Sequence, residues 1–108
     1  MKPDMDYRFV YMTCSSAEEA RSIGRALVQE NIAACVNILG DIESIYEWQG
    51  ELCEEREVAM IAKTTVARMP ALIARVKALH SYECPCIIGL PIGEGYQPYL
   101  DWLSESCS

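Results

Sequence analysis

One histidine, six cysteines and a run of carboxylates carry most of the chemistry that this sequence of 108 residues could perform. His80 is the single imidazole, able to ligate a metal or move a proton near neutral pH. At the end of a predicted helix it could equally serve as a favourable partner for the helix dipole. Met12-Thr13-Cys14-Ser15 sets a thioether and a thiol at the end of a predicted strand. Cys84-Pro85-Cys86 places two thiols at i and i+2, which on a strand would face the same side and could chelate a soft metal. Free cysteines are also ordinary small buried hydrophobes, and Pro85 suits a strand start or an edge. Glu51, Glu54, Glu55 and Glu57 could attract hard cations, but they lack the Asp/Gly loop spacing of a calcium site. Charges on a strand edge also guard against edge-to-edge pairing. Glu57 differs because it adjoins the apolar run Val58-Ala59-Met60-Ile61-Ala62. A carboxylate buried there needs a partner, and Lys63 is one candidate.

Other chemistries find no support. Copper chaperones carry M-x-C-x-x-C after a first strand, but here Ala17 stands at the second cysteine. A single thiolate is a poor Cu(I) clamp without a second soft ligand. No C-x-x-C, P-loop, GxGxxG or GxSxG occurs. A Ser-His-Asp triad would have to use His80, and no nucleophile–base pair can be read, so the expected class is non-enzymatic. The formal charge of −7 argues against nucleic-acid or anionic-membrane surfaces, which want a basic stripe. No apolar run reaches the roughly 18 residues of a membrane span. The N-terminal MKPDMDYRFV has no apolar core ahead of a cleavage site, so the expected location is cytoplasmic, with free thiols.

These residues are positioned by a simple element order. Tyr7 to Thr13 reads as a strand. Ser15 or Ser16 caps a helix, with Glu18 and Glu19 at capping-box spacing and a stripe of Ala20, Ile23, Leu27 and Val28, ending near Glu30 or Asn31. From Ala34 to Trp48 the even positions form one apolar face, with a bulge or bend at Gly40-Asp41. Gln49-Gly50 marks a tight hairpin turn, and Leu52 to Thr64 returns. Ala67 to His80 fits a second helix with Leu72, Ile73, Val76 and Leu79 inward, its start free to slip to Met69 because Pro70 belongs in a first turn. Cys84 to Leu90 reads as a fourth strand and Gln97 to Leu103 as a short terminal helix. This is one α+β domain over residues 1–108, of the ferredoxin-like βαββαβ pattern, with a long β2–β3 hairpin and a short C-terminal helix.

The hairpin is too long for the body. A compact chain of this length is roughly 30–35 Å across, from a radius of gyration near ~13 Å. A strand of about 15 residues spans about 50 Å. The outer hairpin, with Tyr46 and Trp48, is therefore expected to protrude and to be covered by sister subunits in a cyclic oligomer, the alternative being a strand that bends at Gly40 and folds back onto its own body.

Taken together, several spaced motifs resemble the CutA family of divalent-cation tolerance proteins. They are Ala33-Ala34-Cys35-Val36-Asn37, the S-x-Y-x-W-x-G pattern of Ser44, Tyr46, Trp48 and Gly50, then Glu57 and Lys63-Thr64, His80-Ser81-Tyr82-Glu83-Cys84-Pro85, and Tyr99-Leu100-Asp101-Trp102. The resemblance implies a ferredoxin-like subunit in a PII-like homotrimer, with a role in divalent metal tolerance and binding of copper or another divalent cation. It implies a metal set of His80 with Met12 or Cys14. It also implies an inter-subunit cleft of Cys35, Glu57, Lys63, Tyr82 and Glu83, and an interface using Ser44, Tyr46, Trp48 and Trp102. The chain departs from the family pattern at Thr13-Cys14-Ser15, where T-A-P is usual, and at Cys86, where an acidic residue is common. Two other functions fit the same fold: a PII-like sensor of a small anionic ligand, and a trimeric scaffold anchoring another protein.

Overall fold

The computed structural model describes residues 6–108; the leading segment read for a signal sequence lies largely outside them. The order is β1 (Tyr7–Cys14), α1 (Ala17–Gln29), β2 (Cys35–Trp48), β3 (Glu51–Thr65), α2 (Met69–Leu79), β4 (Ile87–Pro91) and α3 (Gln97–Ser106), with a 3-10 turn over Val66–Arg68 ahead of α2. The strands form one antiparallel sheet in the order β2-β3-β1-β4.

Local chemistry sets the boundaries. Ser16 caps α1, its Oγ accepting from the Glu19 backbone N–H at 3.1 Å. Asn31, at φ 59, turns the chain out of α1 in the left-handed conformation that asparagine tolerates. The buried stripe of α1 is Ala20, Ile23, Gly24 and Leu27; Val28, expected inward, is exposed. Gly24 lets the helix sit close on β2, since a Cβ there would stand 3.1 Å from Val36 Cγ1. Pro70 occupies the first turn of α2, which begins at Met69. Of its expected stripe, Leu72 and Val76 are buried, Leu79 packs against the core, and Ile73 is exposed.

Two expectations need correction. β4 begins at Ile87, not Cys84, so Cys84-Pro85-Cys86 lies in the preceding loop and strand alternation does not align its thiols. Pro85 has no N–H to give a ladder. The even positions of β2 do not share one face either. Ile38 pairs with Met60, but after a register shift Gly40 pairs with Ala59. Gly40, at φ 114, carries this bulge. Before it, Val36 packs against the core on the helix side. Beyond it, Ile42, Ser44, Tyr46 and Trp48 stand opposite Glu57, Glu55, Cys53 and Glu51, on the other side of the sheet.

The helix-covered face holds the core, centred on Val10, Met12, Cys14, Ile23, Leu27, Met60 and Leu72. A smaller cluster of Ala34, Leu103 and Cys107 seats α3. The hairpin turns through Gln49 (φ 53) and Gly50 (φ 83), the two left-handed positions of a type I′ turn. It stretches the molecule to 46 × 25 × 22 Å, with a radius of gyration of 14.5 Å against ~13 Å for a compact chain. Ile45 and Leu52 stand 70% and 69% exposed on it.

Candidate functional site

At one end of the core three elements converge. β1 ends by presenting Cys14, the first turn of α1 presents Glu19, and the residue after α2 is His80. One ligand-capable atom from each lies within 4.8 Å of the other two.

Each group is already engaged. The His80 side chain is fully buried. Its Nε2 lies 2.7 Å from the Thr13 carbonyl oxygen, and a carbonyl can only accept, so Nε2 carries the proton. Nδ1 accepts the Tyr82 backbone N–H at 3.1 Å and faces Glu19 Oε2 at 3.8 Å. Glu19 Oε1 accepts from the backbone N–H and the hydroxyl of Ser15 at 2.9 and 2.8 Å, and Oε2 accepts from the Ser81 N–H at 2.7 Å. Burial opposes ionisation of Glu19, but the bonds from Ser15 and Ser81 overcome it and hold the carboxyl down at about 2. Cys14 is fully buried and donates its S–H to Met60 Sδ at 3.4 Å. Burial, followed by the charges of Glu19 and Glu57, pushes its thiol up to about 12.

Sulfur, nitrogen and oxygen donors together suit a borderline divalent ion. Histidines that ligate metal usually donate their other ring N–H to a carbonyl or carboxylate, which Nε2 does here, leaving Nδ1 toward Glu19. The residues therefore fit an ion, provided that it displaces the Cys14 proton and the Tyr82 N–H. Of the residues expected at a metal, His80 and Cys14 meet here. Met12 lies fully buried in the core, and the thioether against Cys14 belongs to its cross-strand neighbour Met60. Glu19 was read only as a capping residue. The chain segment that makes it more than a cap arrives 62 residues later.

The expected cleft residues fall into two groups within one chain. Glu57 is 7% exposed and accepts the Tyr82 hydroxyl at 2.7 Å. Burial and this bond push the Tyr82 phenol well above its ordinary value. Tyr46 donates to Glu55 at 2.8 Å, a bond that with burial and nearby charge pushes its phenol up to about 12. Tyr82 and Glu83, from the loop before β4, join Tyr46, Trp48, Glu55 and Glu57 around a cavity of about 430 Å³. Cys84 and Cys86 also line it, and burial followed by the Glu57 charge raises the Cys86 thiol.

Cys35 and Lys63 pair in register elsewhere. Lys63, read as a partner for Glu57, instead donates to the Tyr99 hydroxyl at 3.4 Å, with its Nζ 5.5 Å from that ring. The Tyr99 hydroxyl in turn reaches Cys35 Sγ at 3.9 Å, and its ring stacks on Trp102 at 5.4 Å. Six residues of strand, roughly 20 Å, separate Lys63 from Glu57, which is why one chain does not join the two groups. Ser44 is half-buried, whereas Tyr46, Trp48 and Trp102 are exposed in the single chain.

Residues 8–106 match the family model described as CutA1 divalent ion tolerance protein. The chain is 53% identical over 97 residues to the divalent-cation tolerance protein CutA of Thermus thermophilus, covering 90% of this chain and 94% of that one. It is 42% identical over 95 residues to protein CutA of Mus musculus, spanning 88% of this chain but only 54% of the mouse protein. The solved structure of the divalent cation tolerance protein (Cut A1) from Thermus thermophilus superposes with a TM-score of 0.92 at 50% identity, covering 94% of this chain and 99% of that one.

Proposed function

The chain belongs to the CutA1 divalent ion tolerance family, and on that premise we propose that it serves divalent-cation tolerance by binding copper or another borderline divalent ion, without catalysing a reaction. The observation that carries this reading is the convergence of Cys14, Glu19 and His80, with donor atoms within 4.8 Å of one another. The Thr13 carbonyl holds the imidazole with Nδ1 toward Glu19. Cys14 supplies a soft donor once deprotonated, and Glu19 supplies a carboxylate that stays ionised at any physiological pH. Six free cysteines accord with a reducing, cytoplasmic setting.

We also infer a homotrimer. Helices α1 and α2 cover only one face of the sheet. The opposite face exposes Ile88 and Leu90, both about half exposed, and among the described residues both outer strands, β2 and β4, have one strand neighbour each. Copies arranged around a three-fold axis would cover that face, shelter Tyr46, Trp48 and Trp102, and bring Cys35 and Lys63 of one copy toward Glu57, Tyr82 and Glu83 of another. Light scattering should then give three times the 12.1 kDa chain mass.

The metal reading is tested by titrating reduced, metal-free protein with Cu(II) and Zn(II) in a calorimeter. One ion per chain is expected, with at least tenfold weaker binding in His80→Ala and in Glu19→Gln, or ~1.4 kcal/mol each. Superstoichiometric binding, indifferent to both substitutions, would leave only exposed thiols as the ligands. A small-anion sensor or a scaffold would show the same indifference.

A further inference from the structure

Beside Cys14 stands a second soft atom that the donor set Cys14, Glu19 and His80 does not include. Cys14 Sγ lies 3.4 Å from Met60 Sδ and donates its S–H to that thioether. Both side chains are fully buried. Met60 comes from β3, where it stands opposite Met12, two residues before Cys14 on β1. Ala17 takes the place of the second thiol in the copper-chaperone spacing, and the fold brings a thioether from another strand instead. That is the second soft ligand without which a single thiolate clamps Cu(I) poorly.

A donated S–H marks where the acceptor's lone pair points. Met60 accepts the Cys14 proton, so its lone pair is aimed at the position from which an ion would displace that proton. With metal–sulfur bonds of ~2.3 Å, two sulfurs that share an ion stand at most ~4.6 Å apart. The observed 3.4 Å lies inside that limit. Charge then separates two kinds of guest. A monovalent ion that replaces one proton adds no net charge to a fully buried position. A divalent ion adds one positive charge and needs the Glu19 carboxylate to offset it.

We propose that Met60 makes the His80 cluster selective for Cu(I), held by Cys14, Met60 and His80, with Glu19 left to its bonds from Ser15 and Ser81. This rests on the metal reading of the same cluster and names the ion that its sulfur pair prefers. The exchange balances: the Cys14 S–H bond breaks, a sulfur–copper bond forms, one proton leaves to solvent, and copper keeps its oxidation state. Sulfur, sulfur and nitrogen donors suit the soft monovalent ion, whereas Glu19 in place of Met60 suits Zn(II).

The test uses the full chain carrying Cys35→Ser, Cys53→Ser, Cys84→Ser and Cys86→Ser, because those four thiols are at least partly exposed and would take up Cu(I) themselves. Cu(I) affinity is read anaerobically against a chromophoric Cu(I) chelator, and Zn(II) affinity by calorimetry. Met60→Leu removes the sulfur and nearly conserves the volume. It should lower Cu(I) affinity at least tenfold more than Zn(II) affinity, and Glu19→Gln should do the reverse. X-ray absorption should count two sulfurs per Cu(I) in the four-serine chain itself, a readout that needs no core substitution. Equal losses of both ions in Met60→Leu would show a packing role alone and overturn the proposal, as would one sulfur per copper. Either result leaves the divalent reading standing if Glu19→Gln still weakens Zn(II). A cluster that takes neither ion would overturn both.

Discussion

The two ends of Glu57's neighbourhood treat charge in opposite ways. Around His80, every donor and acceptor has a partner inside the chain: Thr13 and Tyr82 hold the ring, Ser15 and Ser81 hold Glu19, and Met60 receives the Cys14 proton. Around Trp48, three carboxylates face a cavity with no cation among the described residues to meet them. Tyr82 belongs to both regions, its backbone to the first and its hydroxyl to the second. A closed network contributes stability and must be opened to take a ligand. An open one contributes less within one chain and leaves its carboxylates to be met from outside it.

Substitutions can break this contrast. The largest loss should follow His80→Ala, which removes a fully buried ring and strands the Thr13 carbonyl: about 2–4 kcal/mol in denaturant unfolding. Glu19→Gln should cost about 1–2 kcal/mol, because three donors lose a charged acceptor. The same carboxylate sets an acid limit. Its folded-state value is depressed, so its stabilisation is complete above the unfolded value near 4.5 and is lost as pH falls toward about 2. Wild type should therefore lose stability across that window in thermal melts, and the Gln variant should lose less. Tyr82→Phe removes a hydroxyl but not the N–H, and should cost about 1 kcal/mol while leaving metal affinity intact. Cys84→Ser, exposed at the cavity wall, should shift stability by less than about 0.5 kcal/mol.

Much of the fold was legible because hydrophobic period and turn chemistry are local. Gln49-Gly50 and Gly40 announced the turn and the bulge, and Ser16 announced the helix start. The direction of the outer hairpin was not legible, because one extra residue at the bulge reverses every side chain beyond it. The site was half legible. His80 and Cys14 stood out by type, whereas Glu19 had the look of an ordinary cap. What makes it a third donor is a backbone N–H that the fold delivers from Ser81. The Lys63–Glu57 pairing failed for a related reason. Charge suggested attraction, but both sit on one strand about 20 Å apart, and nearer phenols satisfy each.

The most direct test of the central claim, that an ion enters the His80 cluster by taking the place of the Cys14 proton, is a Zn(II) calorimetric titration repeated in buffers of different ionisation enthalpy and at several pH values. With the thiol at about 12, each bound ion should release about one proton at pH 7, and affinity should rise about tenfold per pH unit. Binding without proton release, or affinity flat between pH 6 and 8, would contradict it.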